Sequence, residues 1–257
     1  MKDRLIRVLA PLLLLLLLLG AWELSVIWSG VKPFILPAPS QVLITFVENI
    51  RMLMWHGAVT FSEIILGLLL GGVAGVLLAI VVFYSPILDK ALYPLIIGSQ
   101  MIPVFAIAPI LIVWMGYGLW PKVTVAALIS FFPLVVNVSD GLREPTDEAV
   151  DLFRSLGATR RQIFWKLRLP ASLPTLFSGL KVSATLSVVG ATIGEWVGAH
   201  QGLGYLMLQS NARMRMSVVF AAILMLAILG LCLFGVLRII ERQVVHWRVA
   251  NTATREV

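Results

Sequence analysis

Of 257 residues, 60% are hydrophobic and 13% charged, whereas a soluble domain carries about a quarter charged residues. That excludes an ordinary water-surrounded globule, so the chain is divided by membrane spans of about 20 residues each. The net charge of +7 is scattered in short stretches between apolar runs rather than gathered in one patch, which marks topology and argues against a nucleic-acid partner.

The N-terminus carries Lys2, Arg4 and Arg7 ahead of a leucine tract. The tract outlasts the core of a secretory signal and no small-x-small cleavage site precedes Trp22-Glu23, so an uncleaved first span is expected. Six runs are long enough, or nearly so, to cross: 5–28, 58–84, 92–115, 123–139, 176–197 and 218–240. They predict an all-α integral membrane protein of about six transmembrane helices. Pro94, Pro103 and Pro109 punctuate the third run and Pro133 the fourth. Proline is tolerated in a bilayer where neighbouring helices or a wet cavity satisfy the freed carbonyls, so these two runs should face protein or pore.

Between the first two runs, 33–39 reads as extended and proline-rich, leading into a surface helix over 41–55. After the fifth, Gly202-Leu203-Gly204 predicts a turn and a short helix. The single cysteine, Cys232, lies within the last run, so one chain holds no disulfide framework and no cysteine metal site.

Positive loops stay cytoplasmic. With the N-terminus inside, that side collects Lys2, Arg4, Arg7, Lys90, Arg143, Arg154, Arg160, Arg161, Lys166, Arg168, Arg238, Arg242, Arg248 and Arg255. The outside keeps Lys32, Arg51, Lys122, Arg213 and Arg215, and Lys181 snorkels toward the inner interface. Both termini are therefore expected in the cytoplasm.

The long polar segment 141–170 reads as two short helices hinged at Gly157. Thr146 and Thr159 supply N-caps, Gly157 the left-handed turn, and Pro170 a stop. Apolar residues fall at helical spacing: Val150, Phe153 and Leu156, then Ile163, Phe164 and Leu167. A loop with two such faces wants a partner, either the membrane surface or another protein.

This segment resembles the EAA loop of bacterial ABC importer permeases: Glu-Ala-Ala, three residues, Gly, nine residues, an aliphatic residue, one residue, Leu-Pro. Gly157 through Leu167 and Leu169-Pro170 fit the spacing, while Asp151, Leu152 and Phe153 occupy the Glu-Ala-Ala positions. Leu36-Pro37-Ala38-Pro39-Ser40, Gln100-Met101-Ile102-Pro103 and Gly202-Leu203-Gly204 are similar to permeases of the nitrate, sulfonate, taurine and thiamine-precursor group. Within that group, Gly194-Glu195-Trp196-Val197-Gly198 and the tail from Glu241-Arg242 to Trp247 look more like permeases for thiamine pyrimidine precursors or riboflavin.

The resemblance implies one permease domain over 1–257, of type I ABC importer architecture, in the bacterial inner membrane. It also implies a second copy of the chain, a cytoplasmic ABC ATPase dimer and an extracytoplasmic substrate-binding protein as partners. ATP and magnesium would sit on the ATPase, since no Gly-x-x-x-x-Gly-Lys-Ser/Thr loop occurs here. No cofactor is expected on this chain, and it is expected not to be an enzyme.

Under that reading Asp151, Phe153, Arg154, Leu156, Gly157, Ala158, Ile163, Phe164, Leu169 and Pro170 carry the coupling to the ATPase. Phe153, Leu156, Ile163 and Phe164 would be the apolar anchors. Polar residues stranded in apolar runs are candidates for the translocation path: Glu63, Gln100, Asn137 and Glu195, with Trp196 placed to stack a flat solute. For the carboxylates the competing reading is interfacial anchoring, for Gln100 and Asn137 interhelical hydrogen bonding, and for Trp196 an aromatic belt. Two rival functions remain: import of sulfonate, taurine or nitrate within the same family, and an ion-coupled secondary transporter outside it. An intramembrane enzyme lacks convergent ligands, as His56, His200 and His246 all fall near run boundaries.

Overall fold

The computed structural model describes residues 2–246 and is all-helical. The helices are α1 (Lys2–Ser29), α2 (Pro39–Glu48), α3 (Ile50–Tyr84), α4 (Pro86–Ser99), α5 (Val104–Met115), α6 (Leu119–Arg143), α7 (Asp147–Ser155), α8 (Arg160–Ile163), α9 (Leu169–Gly198), α10 (Leu203–Ala212) and α11 (Met216–Val244). A wide π turn, Phe164–Arg168, joins α8 to α9. Arg248, Arg255 and Trp247, used above for orientation and resemblance, lie outside the described residues, as do the side chains of Lys2, Arg4 and Arg7.

Five helical stretches are long and apolar enough to cross a membrane, and a sixth crossing is available if α4 and α5 are counted together. Those two are bent by 96° at the break over 100–103, where Pro103 lacks the N–H needed to continue the ladder. The third run is thus two helices meeting at a sharp bend rather than one continuous helix. Other boundaries move outward: 50–55, expected on the surface helix, opens α3, and the fourth crossing starts at Leu119 rather than at 123. Charged and aromatic residues at span ends lower local hydropathy without interrupting backbone hydrogen bonding, so the apolar window underestimates helix length.

The chain forms two compact units. The first comprises 2–59 and 201–227 of the described residues. In it Glu23 of α1 accepts hydrogen bonds from the Ser40 backbone N–H at 2.9 Å and the Ser40 hydroxyl at 2.6 Å, tying α1 to the start of α2. Trp22 meets Phe220 with ring centroids 5.5 Å apart. His56 Nδ1 accepts the Gly202 N–H at 3.0 Å, which fixes the turn ahead of α10. The leucines of α1 are exposed along nearly the whole helix, as a lipid-facing element requires.

The second unit comprises 60–200 and 228–246 of the described residues, and its centre is the contact of α6 with α9. Small residues make that approach possible. A Cβ at Gly190 of α9 would stand 2.7 Å from Ala126 Cα of α6. From α3, Gly67, Gly71 and Gly75, one turn apart, also face α6, at Ala126, Ala127 and Phe131. The glycine stripe of α3 is therefore an intrachain packing face. Ser183 donates to the Ser130 carbonyl at 2.6 Å across α9 and α6, and Ser130 to the Ala126 carbonyl of its own helix at 2.9 Å. Toward the other end Ala79, Leu134, Val138, Leu142 and Phe164 form a continuous apolar core.

Candidate functional site

Two constellations in the second unit carry the chemistry. The first lies among the spans. Glu63 of α3 and Glu195 of α9 are 0% and 1% exposed, and Lys122 of α6 is buried with them. Lys122 Nζ donates to Glu63 Oε1. Thr60 Oγ1, one turn before Glu63, donates to Glu195 Oε1 at 2.6 Å. The Glu195 carboxyl is within electrostatic reach of Glu63, and Glu63 Oε2 is buried without a hydrogen-bond partner. One ammonium group thus pairs with Glu63 while Glu195, held by Thr60, lies close by, in a setting where an unpaired charge is costly.

Lys122 was expected in an outer loop, and the structure corrects this. The helix starts three residues before it, at Leu119, and Gly194 gives it room: a Cβ there would stand 2.9 Å from Lys122 Cα. The glycine preceding Glu195 admits the lysine backbone that brings the counter-charge. Both carboxylates are turned into the protein interior.

The other residues expected near a path separate from this cluster. Trp196 is exposed while its neighbour Glu195 is buried, because consecutive helical side chains diverge by about 100°. The pairing of stacking ring and carboxylate on one surface is therefore not formed. Asn137 donates to the Pro133 carbonyl of its own helix at 2.8 Å, so it is not interhelical hydrogen-bond glue. Gln100 is exposed at the break between α4 and α5.

The second constellation is the loop from α7 to the start of α9. Thr146 caps α7 by accepting the Ala149 N–H at 3.4 Å, and Glu148 is held below the usual carboxylate range by its own backbone N–H and then by the Thr146 hydroxyl. Gly157 has φ of +77°, the left-handed turn a glycine allows. Thr159 and Gln162 form a reciprocal capping box at α8. These local features match the sequence pattern.

Pro170 does not stop the second helix. It opens α9, and the preceding turn widens so that Leu169 N–H reaches the Phe164 carbonyl. A proline lacks the N–H its helix would use and crowds the carbonyl four residues back, and a π turn relieves that conflict. Helix therefore runs from Arg160 to Gly198.

Ile163 and Phe164 are corrected too. They are buried within their own chain, Phe164 at 5% exposure with its ring 5.2 Å from that of Tyr84 and 6.2 Å from that of Phe83. They anchor the loop to the end of α3 and are not free for a partner. The outward apolar residues are Leu152 at 60% and Leu156 at 76% exposure, together with Trp165. Leu152 and Trp165 were missed, although the i, i+4 spacing of Leu152 and Leu156 was available as a signal. Asp151 and Arg154 pair with each other at 2.9 Å on the exposed surface, Phe153 and Ala158 are half-buried, and Leu169 and Pro170 are half-buried at the head of α9.

Residues 67–246 match the family described as binding-protein-dependent transport system inner membrane component. The chain belongs to that family. The match takes in Lys122, Glu195 and the entire loop, and begins four residues after Glu63. The chain is 39% identical to the formylaminopyrimidine transport permease ThiX of Halalkalibacterium halodurans, over 93% of this chain and 96% of that one. It is 34% identical to the riboflavin transport system permease RibX of Chloroflexus aurantiacus, over 92% and 89%. To the taurine transport system permease TauC of Escherichia coli it is 27% identical, over 91% and 87%. Among solved structures, an inward-facing form of the methionine ABC transporter MetNI superposes with TM-score 0.67 at 21% identity, covering 77% of this chain and 98% of that one. The fold is that of a type I ABC importer permease, and the chain is an inner-membrane transport subunit of an ABC importer.

Proposed function

We propose that this permease imports a small flat heterocycle of the thiamine-pyrimidine-precursor or riboflavin type. Identity carries the reading: 39% and 34% to the permeases for those solutes, against 27% to the taurine permease, all over nearly whole chains. Two copies pair around the path, an ATPase dimer holding ATP and magnesium binds from the cytoplasm, and an extracytoplasmic binding protein delivers the solute. The distribution of Lys and Arg supports cytoplasmic termini.

Leu152 and Leu156 form the apolar ridge that docks into the ATPase, with Arg161 at its rim. Gln100 and Trp196, both exposed, take the path-facing role. Glu63, Lys122 and Glu195 hold α3, α6 and α9 in register behind it.

Uptake in vesicles carrying the permease, its ATPase and its binding protein tests the proposal, with labelled formylaminopyrimidine, riboflavin and taurine supplied in turn. ATP-dependent uptake of one of the two heterocycles is expected. Uptake of taurine alone would reassign the substrate, and uptake by the permease without its ATPase would replace the importer reading by ion-coupled transport.

A further inference from the structure

Where α3 ends, the second unit contains a cleft of about 200 Å³ whose charged lining residues are all arginines: Arg154, Arg160 and Arg168. Phe83, Tyr84 and Phe164 form its aromatic wall. Among the described residues the carboxylate engaged with these guanidinium groups is Asp151, on Arg154 at 2.9 Å. Arg168 lies over the Phe83 ring, 5.1 Å from its centroid, and donates to the Leu142 carbonyl at 2.8 Å. Both contacts are to neutral groups, and they lock its side chain in place. Among the described residues Arg160 makes no side-chain hydrogen bond or ion pair. Three positive groups against one negative leave two charges uncompensated around a cleft of phosphate-compatible size.

The depth of the cleft indicates what fills it. Phe83 and Tyr84 are the last two residues of a membrane-crossing helix. Tyr84 and Trp165 are exposed beside the cleft, and Ile87 just beyond it is exposed as well. Aromatic residues at a span end sit at headgroup level, and exposed apolar side chains there lie against acyl chains. The ridge proposed for the ATPase faces elsewhere. Val150 and Arg154, four residues apart, share the face of α7 that lines the cleft, whereas Leu152 and Leu156 occupy the opposite face. A partner seated on the leucines leaves the arginines to another ligand.

We infer that the Arg154–Arg160–Arg168 cleft is a binding site for the phosphate of an anionic phospholipid, which staples the coupling loop to the end of α3. Basic pockets at the cytoplasmic ends of membrane helices bind such headgroups, and guanidinium groups engage phosphate oxygens in pairs. Which leaflet supplies the lipid follows from the orientation proposed above; the binding itself does not depend on it.

The test uses the purified full chain in detergent, titrated with phosphatidylglycerol or phosphatidylcholine and followed by native mass spectrometry. Phosphatidylglycerol should be retained in preference, and Arg160→Gln should weaken its retention roughly fivefold. Arg161→Gln removes the same charge from the same helix but does not line the cleft, and should leave retention unchanged. Equal retention of both lipids, or equal loss in the two variants, would overturn the proposal. Displacement of the lipid by millimolar inorganic phosphate would overturn the lipid source in favour of a soluble phosphate. Reduced ATPase binding by Arg160→Gln with lipid retention intact would hand the arginines to the ATPase instead.

Discussion

The charged cluster among the spans and the charged loop after α6 use the same residue types to opposite ends. Glu63, Lys122 and Glu195 come from three helices and are buried. The loop's Asp151, Arg154, Arg160 and Arg161 are exposed, and its one internal pair, Asp151 with Arg154, joins neighbours on a single helix. Buried charges are strongly coupled because each would be expensive alone, whereas exposed pairs contribute little and leave their members available. Within the second unit α3, α6 and α9 are thus built as one mechanical body and the loop as a handle on it.

The sharpest way to break this contrast is to remove the counter-ion of Glu63. Lys122→Ala leaves Glu63 buried without its ion-pair partner and should cost about 3–5 kcal/mol, read as a fall in thermal stability of the purified chain. A combined Lys122→Met and Glu63→Gln variant should regain most of that loss. Wild-type stability in Lys122→Ala would show that the cluster does not hold the helices. Next in size is Phe164→Ala, which empties the core at Ala79, Leu134 and Leu142 and should cost about 3 kcal/mol. Its effect belongs in stability; a chain that melted normally but no longer bound the ATPase would return Phe164 to the docking surface.

Local features of the loop were legible because each is decided within a few residues. Thr146, Gly157 and Thr159 cap and turn the chain as their types require. The spans were legible as apolar runs, but Pro103 was one of three prolines in the third run and nothing in the sequence singled it out as the break, since Pro94 and Pro109 lie inside helices. What sequence hid was the partner of each polar or apolar face. Lys122 meets Glu63 across 59 positions, and Thr60 meets Glu195 across 135. Periodicity marks Ile163 and Phe164 as apolar in the same way as Leu152 and Leu156, and only the fold shows that the end of α3 covers the first pair. Pro170 misled for a related reason: a helix end and a widened turn answer the same missing N–H.

The handle is probed by changes that leave the body intact. Leu156→Asp places a carboxylate on a side chain that is 76% exposed. It should leave the stability of the chain unchanged while weakening ATPase association by about 2 kcal/mol, the loss of one interface hot spot. Measured affinity for the purified ATPase decides it, and unchanged affinity would remove the leucine ridge from the interface.

Gly157 gives the smallest effect on stability and the most discriminating one on uptake. A Cβ at Gly157 would meet nothing within 4 Å, so substitution there acts only through the backbone φ of +77° and through whatever partner lies outside. Gly157→Ala should cost about 1 kcal/mol from the left-handed turn, and Gly157→Asn less, since asparagine tolerates that conformation. If turn geometry is what the ATPase reads, uptake should fall in the order Gly, Asn, Ala. Gly157→Asp shares much of asparagine's conformational tolerance but adds a charge at the docking surface, and it should abolish uptake with the protein still in the membrane. Equal uptake by the aspartate and asparagine variants would mean that nothing docks at the glycine, and the loop would be a handle without a hand on it.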